Sequence, residues 1–238
     1  MKNGLRRGLS LLLLLCLLCA GWVSPALGAE FHPSGEAEAD RQARALFFHC
    51  AFHPEYFGTG RLNRWVREIT VWTGGAPTTE DRQALDSFLE ELRERVPGLP
   101  PIRRVREDRQ AAVRIWFVPS FLMGAYVDGY VDGNEGFFRY DYDASGVITS
   151  ARICIAADST EQEERNHLIL EELVGALGLP GDHEVYSDSI LYERWTTVQE
   201  LSDVDWRMLN LLYSPALEPG MTEQQARDAL TGYSADPS

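Results

Sequence analysis

Residues 171–182 read Glu171-Glu172-Leu173-Val174-Gly175-Ala176-Leu177-Gly178-Leu179-Pro180-Gly181-Asp182. Here and just upstream, apolar side chains recur every three or four residues, the period of a helix that buries one face. That face consists of Leu170, Leu173, Val174 and Leu177. The opposite face carries Glu171, Glu172, Gly175 and Gly178, and glycine commonly ends a helix. The pattern predicts a helix over residues 160–177 whose second face points away from the core, towards a cleft.

The same segment resembles the zinc-binding motif of the metzincin proteases, H-E-x-x-H-x-x-G-x-x-H. Glu172 stands at the position of the motif's glutamate and Gly178 at that of its turn glycine. The three ligand positions hold Glu171, Gly175 and Gly181, and glycine offers a metal no side chain. The remnant motif comprises Glu171, Glu172, Gly175, Gly178, Gly181 and Asp182. The resemblance therefore implies a protease scaffold without metal ligands, and we expect no cofactor.

Two further segments resemble the same family. Ser189-Ile190-Leu191-Tyr192 is similar to the turn that lies under the metal in metzincins, with Leu191 in place of its methionine. Residues 201–213 resemble the helix that closes the metzincin fold. The resemblance covers roughly residues 61–215, and the chain is similar to a bacterial family of secreted proteins of unknown function that shares this degenerate pattern. It implies the fold, whereas the activity does not transfer because the ligands do not.

The elements predicted along the chain give an α+β fold with a mixed, twisted sheet, a backing helix, the motif helix and a C-terminal closing helix. Helices are expected over residues 36–49, 80–96, 160–177 and 203–213, with a short capped helix from Thr222. Strands are expected over residues 67–73, 112–119, 137–142 and 147–156. The predicted organisation is a signal peptide (1–29), an N-terminal helical arm (30–60), a metzincin-like domain (61–215) and a C-terminal tail (216–238).

The N-terminus has the pattern of a secretion signal. Lys2, Arg6 and Arg7 precede an apolar run over residues 9–23, and small residues suited to cleavage follow at 26–29. The run is shorter than the ~18 residues that a membrane span requires, although a retained anchor is the alternative. We expect a secreted, extracytoplasmic protein without membrane insertion after cleavage. Its formal net charge of -14 disfavours nucleic acid as a partner.

Outside the signal, Cys50 and Cys154 remain. In an exported chain, a single pair of cysteines is most simply a disulfide. The alternative is a metal cluster around Cys50, because His49 and His53 lie beside it in sequence.

Other candidate sites offer alternatives to the motif reading. An atypical metal site would use Glu171 and Glu172 with His167 or His183, and Glu172 would then be the catalytic base. Residues 141–146, with Asp141, Asp143 and Ser145, match the start of a calcium-binding loop, but position twelve is Arg152 instead of a glutamate. A hairpin turn explains the same residues. The acidic loop over residues 128–135 is expected at the rim of the cleft.

Taken together, the sequence predicts an exported, non-catalytic protein of metzincin-like fold that binds a peptide or protein segment in the remnant cleft, where a sheet edge beside a helix would suit strand addition. A metal-dependent hydrolase with the atypical site is the alternative, and a structural module of the cell envelope is a third. Because Gly175 costs roughly 1 kcal/mol in a helix interior, we also expect another element to fill the space beside it, namely the turn at Ser189 to Tyr192.

Overall fold

The computed structural model describes residues 27–54, 56, 58 and 60–231. Most of the predicted signal peptide, residues 1–26, and the tail from residue 232 lie outside the described residues. Within the described part, no helix is both long enough and apolar enough to cross a membrane.

The described residues form helices and strands close to those expected. The helices are α1 (Glu36–Phe52), α2 (Thr79–Arg95), α3 (Gln162–Leu177), α4 (Asp203–Leu212) and α5 (Glu223–Ala229). The strands are β1 (Ile69–Gly75), β2 (Ile102–Arg104), β3 (Val113–Val118), β4 (Gly136–Tyr142) and β5 (Ile148–Ala156). Short 3-10 helices cover Asp108–Gln110 and Ser120–Ala125. The sequence prediction missed β2 because its three residues follow two prolines and include two arginines, which gives no strand pattern.

The strands form one sheet in the order β2-β1-β3-β5-β4. β1 pairs in parallel with β2 and β3, and β3 pairs in parallel with β5. β4 lies at the edge and pairs antiparallel with β5 through the predicted hairpin. The mixed sheet and the α+β class expected from the sequence are therefore confirmed.

The two faces of the sheet are covered differently. One face contributes Val71, Ile115 and Ile153 to the main core, which also contains the apolar faces of α1, α2, α3 and α4. The other face carries a smaller cluster formed by Val118, Met123, Val127, Phe137, Cys154 and Ala156. Because side chains alternate along a strand, neighbouring residues of β5 belong to different clusters.

Both ends of α3 are fixed by side-chain hydrogen bonds. Glu161 caps the N-terminus in a capping box with Glu164, which satisfies two backbone N–H groups. At the C-terminus, Trp65 Nε1 donates to the carbonyl of Ala176 at 3.0 Å, and the Tyr213 hydroxyl donates to that of Leu177 at 2.7 Å. These bonds satisfy carbonyls that a helix end leaves without intrahelical partners. They also tie the end of α3 to Trp65 and to Tyr213 at the end of α4.

The predicted N-terminal arm packs against the closing helix. Arg207 of α4 is buried, and its guanidinium contacts three carboxylates, Glu36 and Asp40 of α1 and Asp203 of α4, at 2.7 to 2.8 Å. Residues Phe47 and Phe48 of α1 belong to the same core cluster as α4. The arm is thus continuous with the core of the main domain.

The predicted disulfide is wrong: Cys50 and Cys154 are both free and buried. Cys50 lies in the main core, whereas Cys154 lies in the smaller cluster on the opposite face of the sheet. The sheet itself separates the two thiols, and a disulfide requires Cβ atoms about 3.5–4.5 Å apart. Burial raises the pKa of the Cys154 thiol to about 12 and also raises the pKa of Cys50, so both stay protonated.

We expect both cysteines to be alkylated when protein purified without reductant is treated with iodoacetamide in denaturant. In the native protein both should resist the reagent, because a buried thiol with a raised pKa is a poor nucleophile. Peptide mapping by mass spectrometry measures both states. A peptide pair joined through Cys50 and Cys154 would contradict the packing.

Candidate functional site

A cavity of about 210 Å³ lies beside the motif helix. We call it the cleft. Its walls are α3, β4 with the residues that precede it, and the irregular segment 191–196. From the remnant motif, Glu171, Glu172, Gly175 and Asp182 line it, and from the predicted turn Leu191 and Tyr192 do so. The structure therefore brings these residues together around one cavity.

The two glutamates of the motif have different environments. The Glu171 side chain is 26% exposed, and its Oε2 lies 3.4 Å from Nε2 of His167, one helical turn earlier. Glu172 is buried against Gly136 of β4: a Cβ added to this glycine would lie 3.0 Å from Cδ of Glu172. A glycine at position 136 is what allows the Glu172 carboxylate to fit between helix and strand.

The position of the second motif ligand is filled by an aromatic ring. A Cβ added to Gly175 would lie 2.6 Å from Cζ of Phe138, closer than real Cβ atoms approach a neighbour. Phe138 belongs to β4, so the expectation that the turn at Ser189 to Tyr192 fills this space is wrong. The turn lies on another wall of the cleft, and the ring of the edge strand reaches the helix first. The glycine therefore permits close packing between helix and sheet.

The third ligand position is closed by backbone. A Cβ added to Gly181 would lie 2.6 Å from the carbonyl oxygen of His53 and 3.1 Å from that of Cys50. The Gly181 N–H donates to the Cys50 carbonyl at 2.9 Å, so the end of α1 is bonded directly to the motif segment. Gly178 ends α3 as predicted, with a φ of 121° that favours glycine.

The turn is anchored by a buried carboxylate on α4. Asp205 accepts hydrogen bonds from the hydroxyl of Ser189 at 2.5 Å and from the N–H of Ile190 at 3.0 Å. It also accepts from the N–H and hydroxyl of Ser202 at 2.9 and 2.8 Å, which caps α4. Burial raises the pKa of Asp205 to about 6, while these four bonds oppose that rise. One side chain thus joins the turn to the closing helix.

His183 belongs to the same buried network. Its Nδ1 accepts a hydrogen bond from the N–H of Val185 at 3.2 Å, so Nε2 carries the proton and donates to Ser189 Oγ at 3.0 Å. Burial lowers the pKa of His183 to about 4, with a further contribution from His49. Because both ring nitrogens are engaged, His183 has no lone pair to offer a metal in this arrangement.

His167 ties α3 to the segment that closes the cleft. Its Nδ1 lies 2.8 Å from the carbonyl oxygen of Val198, and its ring lies 6.5 Å from that of Trp195. Burial lowers the pKa of His167, but the hydrogen bond and charge of Glu171 outweigh this effect, and the pKa is raised overall. The residues of the proposed atypical metal site are therefore divided, His167 beside Glu171 and His183 in the Asp205 network.

The other cation sites that were alternatives in the sequence are not assembled among the described residues. Among the described residues, no group of three or more His, Cys, Asp or Glu side chains is placed to hold a metal ion. Cys50 is buried while its neighbour His49 is exposed. Asp143 instead closes the β4–β5 hairpin by accepting from the N–H groups of Ser145 and Val147 at 2.9 and 3.2 Å, as the hairpin interpretation expected.

Three aromatic residues of the site had no signal in the sequence. Tyr56 and Trp195 line the cleft and are 48% and 57% exposed, and Phe138 packs on the helix. They come from the end of the arm, the segment after the turn and the edge strand. Only the tertiary structure brings them together. The acidic loop does reach the cleft, since Asn134 and Glu135 line it as expected of a rim.

Gly175→Ala is expected to destabilise the protein by about 1–3 kcal/mol, because the methyl group meets the Phe138 ring. This is the net loss of stability, because the steric cost should exceed the ~1 kcal/mol that alanine gains over glycine in helix propensity. Denaturant unfolding measures the effect, and in Gly175→Ala/Phe138→Ala the alanine at 175 should cost less. Gly124→Ala is the matched control, because its Cβ would meet Tyr130 at an ordinary 3.5 Å. A more stable Gly175→Ala protein would show that the space beside the helix is open.

Acidification should destabilise the protein through His183. Its pKa is lower in the folded state, about 4 against the usual 6.5, so the unfolded chain binds a proton first as the pH falls. Neutral His183 thus stabilises the folded protein by at most about 3 kcal/mol. This stabilisation is present above pH 6.5 and is lost as the pH falls from 6.5 to about 4. Asp205, with a raised pKa, acts in the opposite sense. The free energy of unfolding should therefore fall more steeply with acid in the wild type than in His183→Gln; equal slopes would contradict the buried network.

The chain is similar to solved structures and to one protein family. Among curated proteins, none matches the chain in sequence. Two solved structures of myroilysin are similar: one at 14% identity covers 65% of this chain and 97% of that chain with a TM-score of 0.40. The other, at 12% identity, covers 82% and 93% with a TM-score of 0.39. The model of DUF2927, described as a protein of unknown function, matches residues 40–232, and the chain belongs to this family.

Proposed function

We propose that this protein is exported and binds a peptide segment in the cleft without hydrolysing it. The observation that carries this proposal is the ring of Phe138 against Gly175, at the position where the motif would place a metal ligand. The cleft beside this contact remains open, with a volume of about 210 Å³. The site thus combines a closed ligand position with an accessible cavity.

The packing around the motif supports a non-catalytic role. A side chain at position 175 would collide with Phe138, and one at position 181 would collide with the carbonyl of His53. In the zinc enzymes the glutamate at this position acts on water that a metal acidifies, and positions 175 and 181 have no room for side chains that would hold such a metal. The buried position of Glu172 beside Gly136 is better explained by packing and by the charge it gives the cleft.

The walls of the cleft support a peptide as the ligand. They combine exposed aromatic rings, Tyr56 and Trp195, with apolar residues and carboxylates, the mixture that binding pockets commonly present. The volume suits one or two side chains of a longer segment. The rest of such a segment would lie along the rim, which is formed by residues 134–138 and 191–196.

The alternative of a metal-dependent hydrolase receives less support. It needs Glu171, Glu172 and a histidine around one ion, but the histidines are engaged elsewhere. Both nitrogens of His183 are hydrogen-bonded, and His167 contacts Glu171 and Val198.

The proposal that the protein is exported rests on the pattern of the N-terminal residues, where basic residues precede an apolar run.

The test uses a random peptide library displayed on phage and selected on the purified protein. Selected peptides should bind the wild type and remain intact by mass spectrometry after long incubation, with or without added zinc. Glu171→Trp should lower their affinity at least about tenfold, because the indole would occupy the mouth of the cleft. Glu90→Trp is the control, since Glu90 is 71% exposed on α2. Zinc-dependent cleavage that is lost in Glu172→Gln would instead support the hydrolase.

A further inference from the structure

We propose that residues 194–200, which we call the strap, form a movable wall of the cleft. Two side chains, which we call the latches, hold the strap against α3. A peptide enters the cleft when the latches open and is retained when they close. This inference rests on the proposed function and adds how access to that site is regulated. It is supported by the hydrogen bonding of the strap, by the way its ends are fixed and by the nature of the latches.

The strap has no backbone–backbone hydrogen bonds. Among the described residues, no amide or carbonyl group of residues 194–200 is paired with another backbone group. Most of its side chains are exposed, and Arg194, Trp195 and Thr196 line the cleft. A segment with few buried contacts and solvated backbone groups opens locally at a low cost in free energy. The strap is therefore the part of the cleft wall that moves most readily.

Both ends of the strap are held by the same buried side chain. Before the strap, Asp205 accepts a hydrogen bond from the Ser189 hydroxyl, and after the strap it accepts from the N–H and hydroxyl of Ser202. The N–H of Glu193, directly before the strap, also donates to the carbonyl of His183 at 2.9 Å. Because these anchors lie outside the strap, its middle can move while its two ends stay in place, as in a compact surface loop.

The first latch is His167 of α3. Its Nδ1 lies 2.8 Å from the carbonyl oxygen of Val198 in the strap, and since a carbonyl only accepts hydrogen bonds, Nδ1 carries the proton. Nε2 of the same ring lies 3.4 Å from Oε2 of Glu171, which lines the cleft. One imidazole therefore contacts both the strap and the helical wall, so an occupant that contacts Glu171 also affects this latch.

The second latch is the side-chain amide of Gln199. Its Nε2 donates to the carbonyl of Glu163 on α3 at 2.9 Å and to that of Thr197 within the strap at 2.8 Å. Gln199 is exposed and does not belong to the described lining of the cleft. Water can replace these hydrogen bonds when the strap leaves the helix. This latch therefore opens without leaving a buried polar group unpaired.

The closed position has a cost of its own. The hydroxyl oxygen of Thr196 is shut off from solvent, and no described residue hydrogen-bonds to it. Buried hydroxyls in native proteins are nearly always hydrogen-bonded, so opening, which admits water to this group, relieves the cost. Trp195 beside it is 57% exposed, and most of its ring is available to pack on an occupant. The latches thus favour closure, Thr196 favours opening, and an occupant adds contacts to the closed position.

Limited digestion with trypsin measures the opening of the strap, because a protease cleaves a segment in its transiently opened state. The strap contains one trypsin site, Arg194, whose side chain is 65% exposed. Arg109, in the short 3-10 helix Asp108–Gln110, is 81% exposed and serves as the reference site within each digest. Mass spectrometry of the native protein measures the rate of cleavage after each of the two arginines.

Variants test each latch separately. Gln199→Ala removes the exposed latch and should raise the rate of cleavage after Arg194, relative to the reference site, by about threefold or more. His167→Phe keeps a ring on α3 without its hydrogen bonds and should have the same effect. Gln224→Ala is the matched control, because Gln224 is also exposed and its Nε2 also donates a hydrogen bond, to Asp228 on α5. The control should leave the relative rate unchanged.

Each outcome bears on one of the two proposals. Peptides selected from the library should slow cleavage after Arg194 and leave the reference site unchanged; faster cleavage with bound peptide overturns closure on the ligand. Relative rates in both latch variants that equal the wild-type value, or a control that rises with them, overturn the movable wall. Circular dichroism checks folding, and if His167→Phe does not fold, Gln199→Ala at the surface decides. If no library peptide binds, the proposed function fails, while the latch variants still decide whether the strap moves.

Discussion

The contact between Phe138 and Gly175 is the constraint around which the site is arranged. The ring lies so close to the helix that position 175 has no room for a side chain. That approach brings β4 close to α3, and Gly136 of the same strand also meets Glu172 of the helix. The edge strand and the motif helix thereby form two walls at a fixed separation. Gly175 is therefore the residue that allows the helix and the sheet edge to pack.

A second constraint holds the remaining wall. The turn at Ser189 to Tyr192 has little secondary structure of its own, and it depends on the four hydrogen bonds that Asp205 accepts. A buried carboxylate is unfavourable unless it is fully hydrogen-bonded, so Asp205 and the turn stabilise each other. In this chain the turn is therefore positioned by α4. Segment 191–196 leaves the turn from this anchored point and reaches the cleft.

Whether a feature of the fold or of the site could be predicted from the sequence depends on how far apart along the chain its interacting residues lie. Local rules were sufficient for α2, whose Thr78 cap is present, and for the end of α3 at Gly178. The packing of Phe138 could not be predicted, because it depends on which residue of a strand faces which turn of a helix. The cysteine prediction failed for a related reason. Because side chains alternate along β5, the side chain of Cys154 lies on the other face of the sheet from those of Ile153 and Ile155. The sequence does not show on which of these faces α1 packs.

The composition of the cleft explains why it remains open. An apolar hollow of this size would be expected to collapse, since unfilled space costs dispersion energy. Here the walls carry carboxylates that are in contact with solvent, among them Glu171 and Glu193, and closing the cleft would remove these charged groups from water at a cost of several kcal/mol each. Their hydration therefore opposes closure from within, while the Phe138 contact and the Asp205 network fix the walls from outside.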